Sequence, residues 1–412
     1  MEMTGKGLYN LLDRLSFVRF GGTEAELRAA KLLQSEIEKI GGTSELFPFE
    51  IPAYEIERCA MHAGGETIDC VAMGHSGQLP EGGAELPLYY VENLAAAAYF
   101  GDELRGAAVL TNFISLEFYQ EMIRRGAAAL IDIDSAKWYE EKELISWEMR
   151  PPYLKAGRIP SFTIRACDAI RLVKGNQKTI HLELRQRSVT HMSRDVLATI
   201  PGTEIDEEDV VLTAHYDSAS VSPGAYDNGS GAVTLFAIYR HYLEHPPKRT
   251  MRFVWCGSEE QGLLGSKAYV QAHAEQLKHA RLCYNLDSCG TALGENNIDL
   301  VGTDRLVELT EQLCAQFRFP TSIDLYPDGS DSLPFAGCGI PAVCPGRGHW
   351  SSCECHTRMD RIDIISPEKL LEMARFSVFY LDYFVNAEAF PIPWEIPEDQ
   401  MEQIDSMLYR TK

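Results

Sequence analysis

The chain has no run of about 18 or more apolar residues, so no membrane-spanning helix is expected. Its opening residues, MEMTGKGLYNLLDRLSF, lack the long apolar stretch and small-residue cleavage site of a secretory signal. Positive charge is scarce. Only 38 Lys and Arg stand against 60 Asp and Glu in 412 residues, a formal net charge of −22. Such a surface repels phosphate, which argues against nucleic acid and anionic membrane as general partners. Disulfide scaffolding is not indicated either. The 11 cysteines are odd in number and scattered, in a chain long enough to bury cores without staples. Internal repeats and low-complexity tracts are missing. These absences leave a soluble globular protein with reduced thiols, and the expected location is the cytoplasm.

What is present is ordinary for that class: 45% hydrophobic and 24% charged residues, with a length that suits two or three domains. Residues 7–40 carry two helical patterns, Leu8, Leu11, Leu12 and Leu15, then Ala30, Leu33, Ile37 and Ile40, stopped by Gly41-Gly42. From about 55 to 190 the texture changes to short β-type runs alternating with short helical pieces. The runs are Leu86–Val91, Ala107–Leu110, Ala129–Ile133, Phe162–Ile164 and Ile180–Leu184. In this stretch Tyr89, Tyr90, Tyr99 and Phe100 read as core. From about 192 strands and helices alternate. Strands are expected at Val210–Ala214, Met251–Trp255, Leu282–Leu286, Ile298–Val301 and Ile340–Cys344, and helices at 231–245, 266–280, 306–317 and 367–385. The fold class is therefore α/β: a doubly wound, mostly parallel sheet with helices on both faces, interrupted by a smaller inserted domain. The expected boundaries are 1–52 with 191–412 for the main domain and 53–190 for the insert.

Open sheets of this kind place their chemistry at the carboxyl ends of the strands. Those ends are rich in metal-binding side chains. The first strand runs into His215-Tyr216-Asp217, and its loop holds Gly224-Ala225-Tyr226-Asp227-Asn228-Gly229-Ser230-Gly231. The second ends in Ser258-Glu259-Glu260-Gln261-Gly262, the third in Asn285-Leu286-Asp287, and His356-Thr357 comes late in the chain. Histidine and carboxylate without clustered cysteine suit zinc or a similar divalent ion. Charge counting favours a pair. Asp227, Glu260 and Asp287 carry −3, which two dications and one hydroxide would neutralise, whereas one dication with its hydroxide would leave the set at −2. A free carboxylate nearby could then accept a proton from a metal-activated water.

These five motifs, in this order and approximate spacing, resemble the M28 family of zinc aminopeptidases, and the likeness extends over roughly 1–50 and 192–390. The stretch between is similar to the protease-associated insert of some members, through Gly106–Leu110, Gly126–Ile131 and Ile159–Ile164. The resemblance implies one zinc held by His215, Asp227 and Asp287. It implies a second held by Asp227, Glu260 and His356, with Asp227 bridging and cobalt or manganese as other candidate metals. It further implies Glu259 as general base, Asp217 behind His215, Asp360 behind His356, and a cis peptide at Asp227–Asn228. The implied activity is removal of N-terminal residues from a peptide substrate with a free N-terminus. Two departures stand out. Ser332 follows Ser330-Asp331 where many members carry His or another larger polar residue, and the tyrosine often found before the last histidine is missing from Ser352-Cys353-Glu354-Cys355. Asp195 stands where Asn is usual and is expected to be structural. Other readings on the same fold are a carboxypeptidase, a deacylase, a single-zinc acyltransferase resembling glutaminyl cyclase, or a non-catalytic binding protein. Cys353 and Cys355 read as inert or redox-sensitive thiols, since a structural zinc usually takes four protein ligands.

Overall fold

The computed structural model describes residues 4–134, 144, 147–349 and 355–410. The chain divides into two compact units, one made of residues 1–51 and 192–412, the other of residues 52–191.

The larger unit is built on the strands β1 (Thr179–Ile200, by its last residues), β2 (Ile205–His215), β3 (Arg249–Cys256), β4 (Ala280–Asn285), β5 (Glu295–Val301), β6 (Thr321–Asp324) and β7 (Ala342–Gly348). Their order across the sheet is β6-β5-β7-β4-β2-β3-β1. The four central strands β7, β4, β2 and β3 are parallel. β1 and β5 are antiparallel to their inner neighbours β3 and β7. The middle of β2, Val210-Val211-Leu212, is apolar on both faces because helices cover both. Alternation along the strands divides the interior in two. Val210, Leu212, Ala214, Met251, Phe253 and Trp255 face one core, and Val211, Val254 and Cys256 the other.

The helices are α1 (Gly5–Leu15), α2 (Glu24–Lys39), α3 (Gly231–Glu244), α4 (Leu264–Ala272), α5 (Asp304–Phe317), α6 (Ser332–Ala336), α7 (Pro367–Val385) and α8 (Glu398–Met407). Thr4 and Thr23 cap the first two, their hydroxyls accepting from the N–H groups of Gly7 and Glu26. α1 buries the Leu8, Leu11, Leu12 and Leu15 stripe in the first core, where α3 and α7 also lie. α4, α6 and α8 cover the second core through Tyr269, Phe335 and Ile404. Trp255 is fully buried in the first core, and its indole N–H donates to the Ala232 carbonyl, tying β3 to the start of α3.

The chain turns back across the sheet beside β2. The crossover from β2 through α3 leads to β3 on one side, and the next leads to β4 on the other side of β2. The carboxyl ends of β2 and β4 therefore flank the crevice of a topological switch point. The helix expected over 266–280 ends at Ala272 and continues only as a 3₁₀ turn at Gln276–His279. The strand expected at 340–344 lies at Ala342–Gly348, after a turn at Gly339 with positive φ.

The smaller unit carries parallel pairings from Ala84–Tyr90 through Ala108–Thr111 and Ala129–Asp134 to Ser161–Arg165, with Cys70–Ala72 antiparallel at the end. Helices Leu116–Arg125 and Ala166–Lys174 pack on its two cores. Tyr89, Tyr90 and Phe100 pack against these cores. Tyr99, expected inside, is 92% exposed. Among the described residues no helix is long and apolar enough to cross a membrane.

Candidate metal centre

Every ligand candidate stands at the carboxyl end of a parallel strand or in the segment that follows it. His215 closes β2, Asp227 lies between β2 and α3, Glu259 and Glu260 follow β3, Asp287 follows β4, and His356 follows β7. The strands register His215 beside Cys256 and Thr213 beside Asn285, so the three inner ends are level. Two sets of side chains converge, His215 with Asp227 and Asp287, and Asp227 with Glu260 and His356, the donor atoms within each set lying within 4.8 Å of one another. Asp227 belongs to both. Its Oδ1 is 3.1 Å from His215 Nε2, and its Oδ2 is 3.1 Å from His356 Nε2. Asp287 Oδ1 lies 3.6 Å from His215 Nε2, and Glu260 Oε2 lies 3.1 Å from His356 Nε2. Glu259 Oε2 comes only to 3.9 Å from His215 Nε2 and belongs to neither set.

The loop after β2 is shaped to aim Asp227 inward. Gly224 has φ +58°, and a Cβ there would come within 2.6 Å of the Asp227 carbonyl and the Ser218 side chain. The Asp227–Asn228 peptide is cis. Asn228 is fully buried and joins two ligand-bearing segments. Its Nδ2 donates to the Leu286 carbonyl at 2.8 Å, and its Oδ1 accepts from the N–H groups of Gly231 and Ser288. Ser258, Ser288 and His356 itself have left-handed backbone with φ of 54° to 60°. Non-glycine residues held there cost of order 1 kcal/mol or more each and persist where the surroundings enforce them.

Asp217 is fully buried beneath the site. One of its oxygens is 3.4 Å from His215 Nδ1, close to where the resemblance puts it but without a hydrogen bond of good geometry. It also does something the sequence did not signal: Oδ1 accepts from the Glu259 N–H at 3.0 Å and Oδ2 from the Glu260 N–H at 3.3 Å. One carboxylate thus fixes the backbone of both glutamates and lies beside the imidazole. Asp360 departs from its expected place behind His356. Its carboxylate accepts from the Tyr226 and Asp227 N–H groups at 2.6 and 3.0 Å, because the turn after His356 folds back under the Asp227 loop. Its carbonyl also accepts from Ala225 N–H. Asp195, expected to be structural, holds the Gly257 N–H at 2.9 Å beneath β3. Ser330 Oγ donates to Asp287 Oδ2 at 2.6 Å and accepts from Asn285 Nδ2. Cys353 and Glu354 lie outside the described residues.

Arg19 was not foreseen. It is fully buried, and its guanidinium donates to the carbonyls of Leu15, Phe17, Tyr216, Pro223 and Gly224, so it fastens the segment after α1 to the Asp227 loop. A single arginine following the leucine stripe of α1 was its only trace in the sequence.

The electrostatics are those of an acidic cavity. Burial would raise the Asp227 carboxyl, but hydrogen bonds and charge from His215 and His356 hold it well below the usual range. Burial works against protonated imidazoles, yet Asp227 and Glu260 push His356 up to about 11, and Asp287 and Glu259 raise His215 well above its ordinary value. Burial, then the Asp227 charge, pushes Glu260 up to about 7. Burial raises Glu259 well above a normal carboxyl. Protons here take the place that cations would fill. Neither nitrogen of the buried His215 ring has a hydrogen-bond partner of good geometry. An imidazole left so, facing two carboxylate oxygens, fits a metal ligand, and the N and O donor sets fit zinc.

Comparison with known proteins agrees with this chemistry. The model of peptidase family M28 matches residues 195–381. Aminopeptidase YwaD of Bacillus subtilis is 30% identical over 391 residues, which cover 90% of this chain and 82% of that protein. A zinc aminopeptidase from Bacillus subtilis, BSAP, superposes with a TM-score of 0.80 at 26% identity, covering 97% of this chain and 99% of that one. An aminopeptidase from Aneurinibacillus sp. strain AM-1 shares the fold, with a TM-score of 0.74 at 22% identity over 95% of this chain and 97% of that one.

Proposed function

The chain belongs to peptidase family M28, and from that membership and the geometry above we propose that it is a two-metal aminopeptidase removing residues from the free N-terminus of peptides. The observation that carries the reading is Asp227, which turns one carboxylate oxygen to each of two histidines, 3.1 Å from both, and so joins two complete ligand sets. His215, Asp227 and Asp287 would hold one ion and Asp227, Glu260 and His356 the other, zinc suiting both. Bound there, the ions would polarise the scissile carbonyl and make a water nucleophilic near neutral pH.

The rest is the work of this chain's own residues. Glu259 stands beside the ligands without belonging to them, and burial gives it a strong affinity for protons. Its role in this reading is to take a proton from the attacking water and hand it to the departing amine. Asp217 holds the backbone of Glu259 and Glu260 and sets a negative charge beside the His215 ring. The carboxylates around the site favour a substrate's free α-amine over a blocked one. The unit of residues 52–191, compact and with cores of its own, we read as a protease-associated-like insert.

The test is metal analysis paired with hydrolysis of aminoacyl p-nitroanilides. Two zinc equivalents per chain are expected. Turnover should vanish on chelation, return with zinc, and fail on N-acetylated substrates. Full activity after exhaustive metal removal, or equal cleavage of acetylated substrates, would refute the proposal.

A further inference from the structure

Beside the ligand cluster lies a cavity of about 210 Å³. Asp287 forms part of its wall, so it adjoins the reacting centre directly. Two further carboxylates, Asp299 on β5 and Asp328 in the loop before α6, line it. None of its described lining residues is a lysine or arginine. Asn297 Nδ2 donates to Asp299 Oδ2 at 3.2 Å, and no described side chain bonds to Asp328. The three carboxylates do not gather within 4.8 Å of one another as the two ligand sets do. They surround a space and do not focus on an ion. Tyr226 and Pro345 also line it.

We propose that this cavity receives the side chain of the residue being removed and selects lysine and arginine. The inference rests on the aminopeptidase reading above. With the scissile carbonyl and α-amine held at the ligand cluster, the side chain is the part of that first residue free to extend past Asp287. A long aliphatic stem lies against Tyr226 and Pro345 while its cationic end meets Asp299 and Asp328, the division of labour natural to Lys and Arg. A neutral aliphatic side chain would bring no positive charge to those carboxylates while displacing water from them, and an acidic one would add a like charge.

The decisive comparison is lysine against norleucine, which keeps the stem and lacks the ammonium. Steady-state hydrolysis of Lys-, Arg-, norleucyl- and Glu-p-nitroanilides by the zinc-loaded full chain should give a kcat/KM at least about tenfold higher for Lys and Arg than for norleucine, with Glu lowest. In Asp299→Asn and Asp328→Asn the Lys-to-norleucine ratio should fall about tenfold each. The wild-type ratio decides the sign whatever the stability of the variants. An active enzyme that prefers norleucine, or variants that lower both substrates equally, would overturn the pocket assignment while leaving the aminopeptidase intact. Failure to turn over any aminoacyl substrate at full metal loading would overturn both.

Discussion

Asp217→Asn is a one-atom change that separates positioning from ligation. Asp217 touches neither the expected metals nor a substrate. It accepts from the Glu259 and Glu260 N–H groups at 3.0 and 3.3 Å and lies 3.4 Å from His215 Nδ1. An asparagine offers one acceptor oxygen in place of two. Its amide group must face an N–H donor or the His215 ring, so one charge-assisted hydrogen bond is lost and a donor is left opposed by a donor. A hydrogen bond to a charged group is worth about 1.5–3 kcal/mol. Loss of a carboxylate behind a metal-binding histidine weakens metal affinity by about 10- to 100-fold, or about 1.4–2.8 kcal/mol, so two routes reach the same range. The assay is competition with a chromophoric chelator at pH 7.5, followed by kcat/KM at saturating zinc. Zinc affinity should fall by about 10- to 100-fold. Activity at saturation should fall too, because Glu259 loses its backbone anchor. A folded variant with affinity and saturated activity both within about threefold of wild type would refute the role.

Glu259→Gln should lower kcat by about 10²- to 10⁴-fold with metal content retained, since the proposed role of the residue is to move a proton and not to bind an ion; full turnover, checked beside metal analysis, would end that assignment. Zinc affinity should rise with pH. His356 is pushed up to about 11 and Glu260 to about 7, so below those values protons occupy the donors a metal needs, and acidification favours the proton. Between about pH 7 and 5 the dissociation constant, from chelator competition, should increase at least about tenfold per unit; a flat profile would contradict the ligand assignment.

The sheet was legible because its central strands are buried on both faces. Val210–Leu212 and Met251–Trp255 cannot be anything but interior, and the chemistry follows each of them directly in sequence. Edge elements were not legible for the opposite reason. β6 alternates between partly and fully exposed positions and has no apolar run, and the Ile180–Leu184 run marks only the start of β1, whose mostly exposed polar middle hides its continuation. The metal-ligand candidates were legible as residue types at strand ends. Their supports were not, because those bonds go to backbone. Asp217 holds two glutamate N–H groups, Asp360 holds the Asp227 loop, and Arg19 binds only carbonyls. Any residue can offer a carbonyl or an N–H, so no pattern of side chains records such a contact.

The same backbone bonds explain why the site needs cations. Like charges about 4 Å apart near a protein surface repel by about 4 kcal/mol, and more where water is excluded. Asp217, Asp227, Glu259, Glu260 and Asp287 are drawn together around one histidine pair. Arg19, buried nearby, has its hydrogen bonds committed to carbonyls and answers the cluster only through its field. Protonated imidazoles relieve part of the repulsion, as the raised His215 and His356 record. A dication in each ligand set would relieve it further and free both imidazoles to ligate in their neutral form. The cost of gathering these carboxylates is thus carried by the fold through Asn228, Asp217 and Asp360, and recovered on metal binding. That is why weakening a residue that never touches the ion should show first in metal affinity.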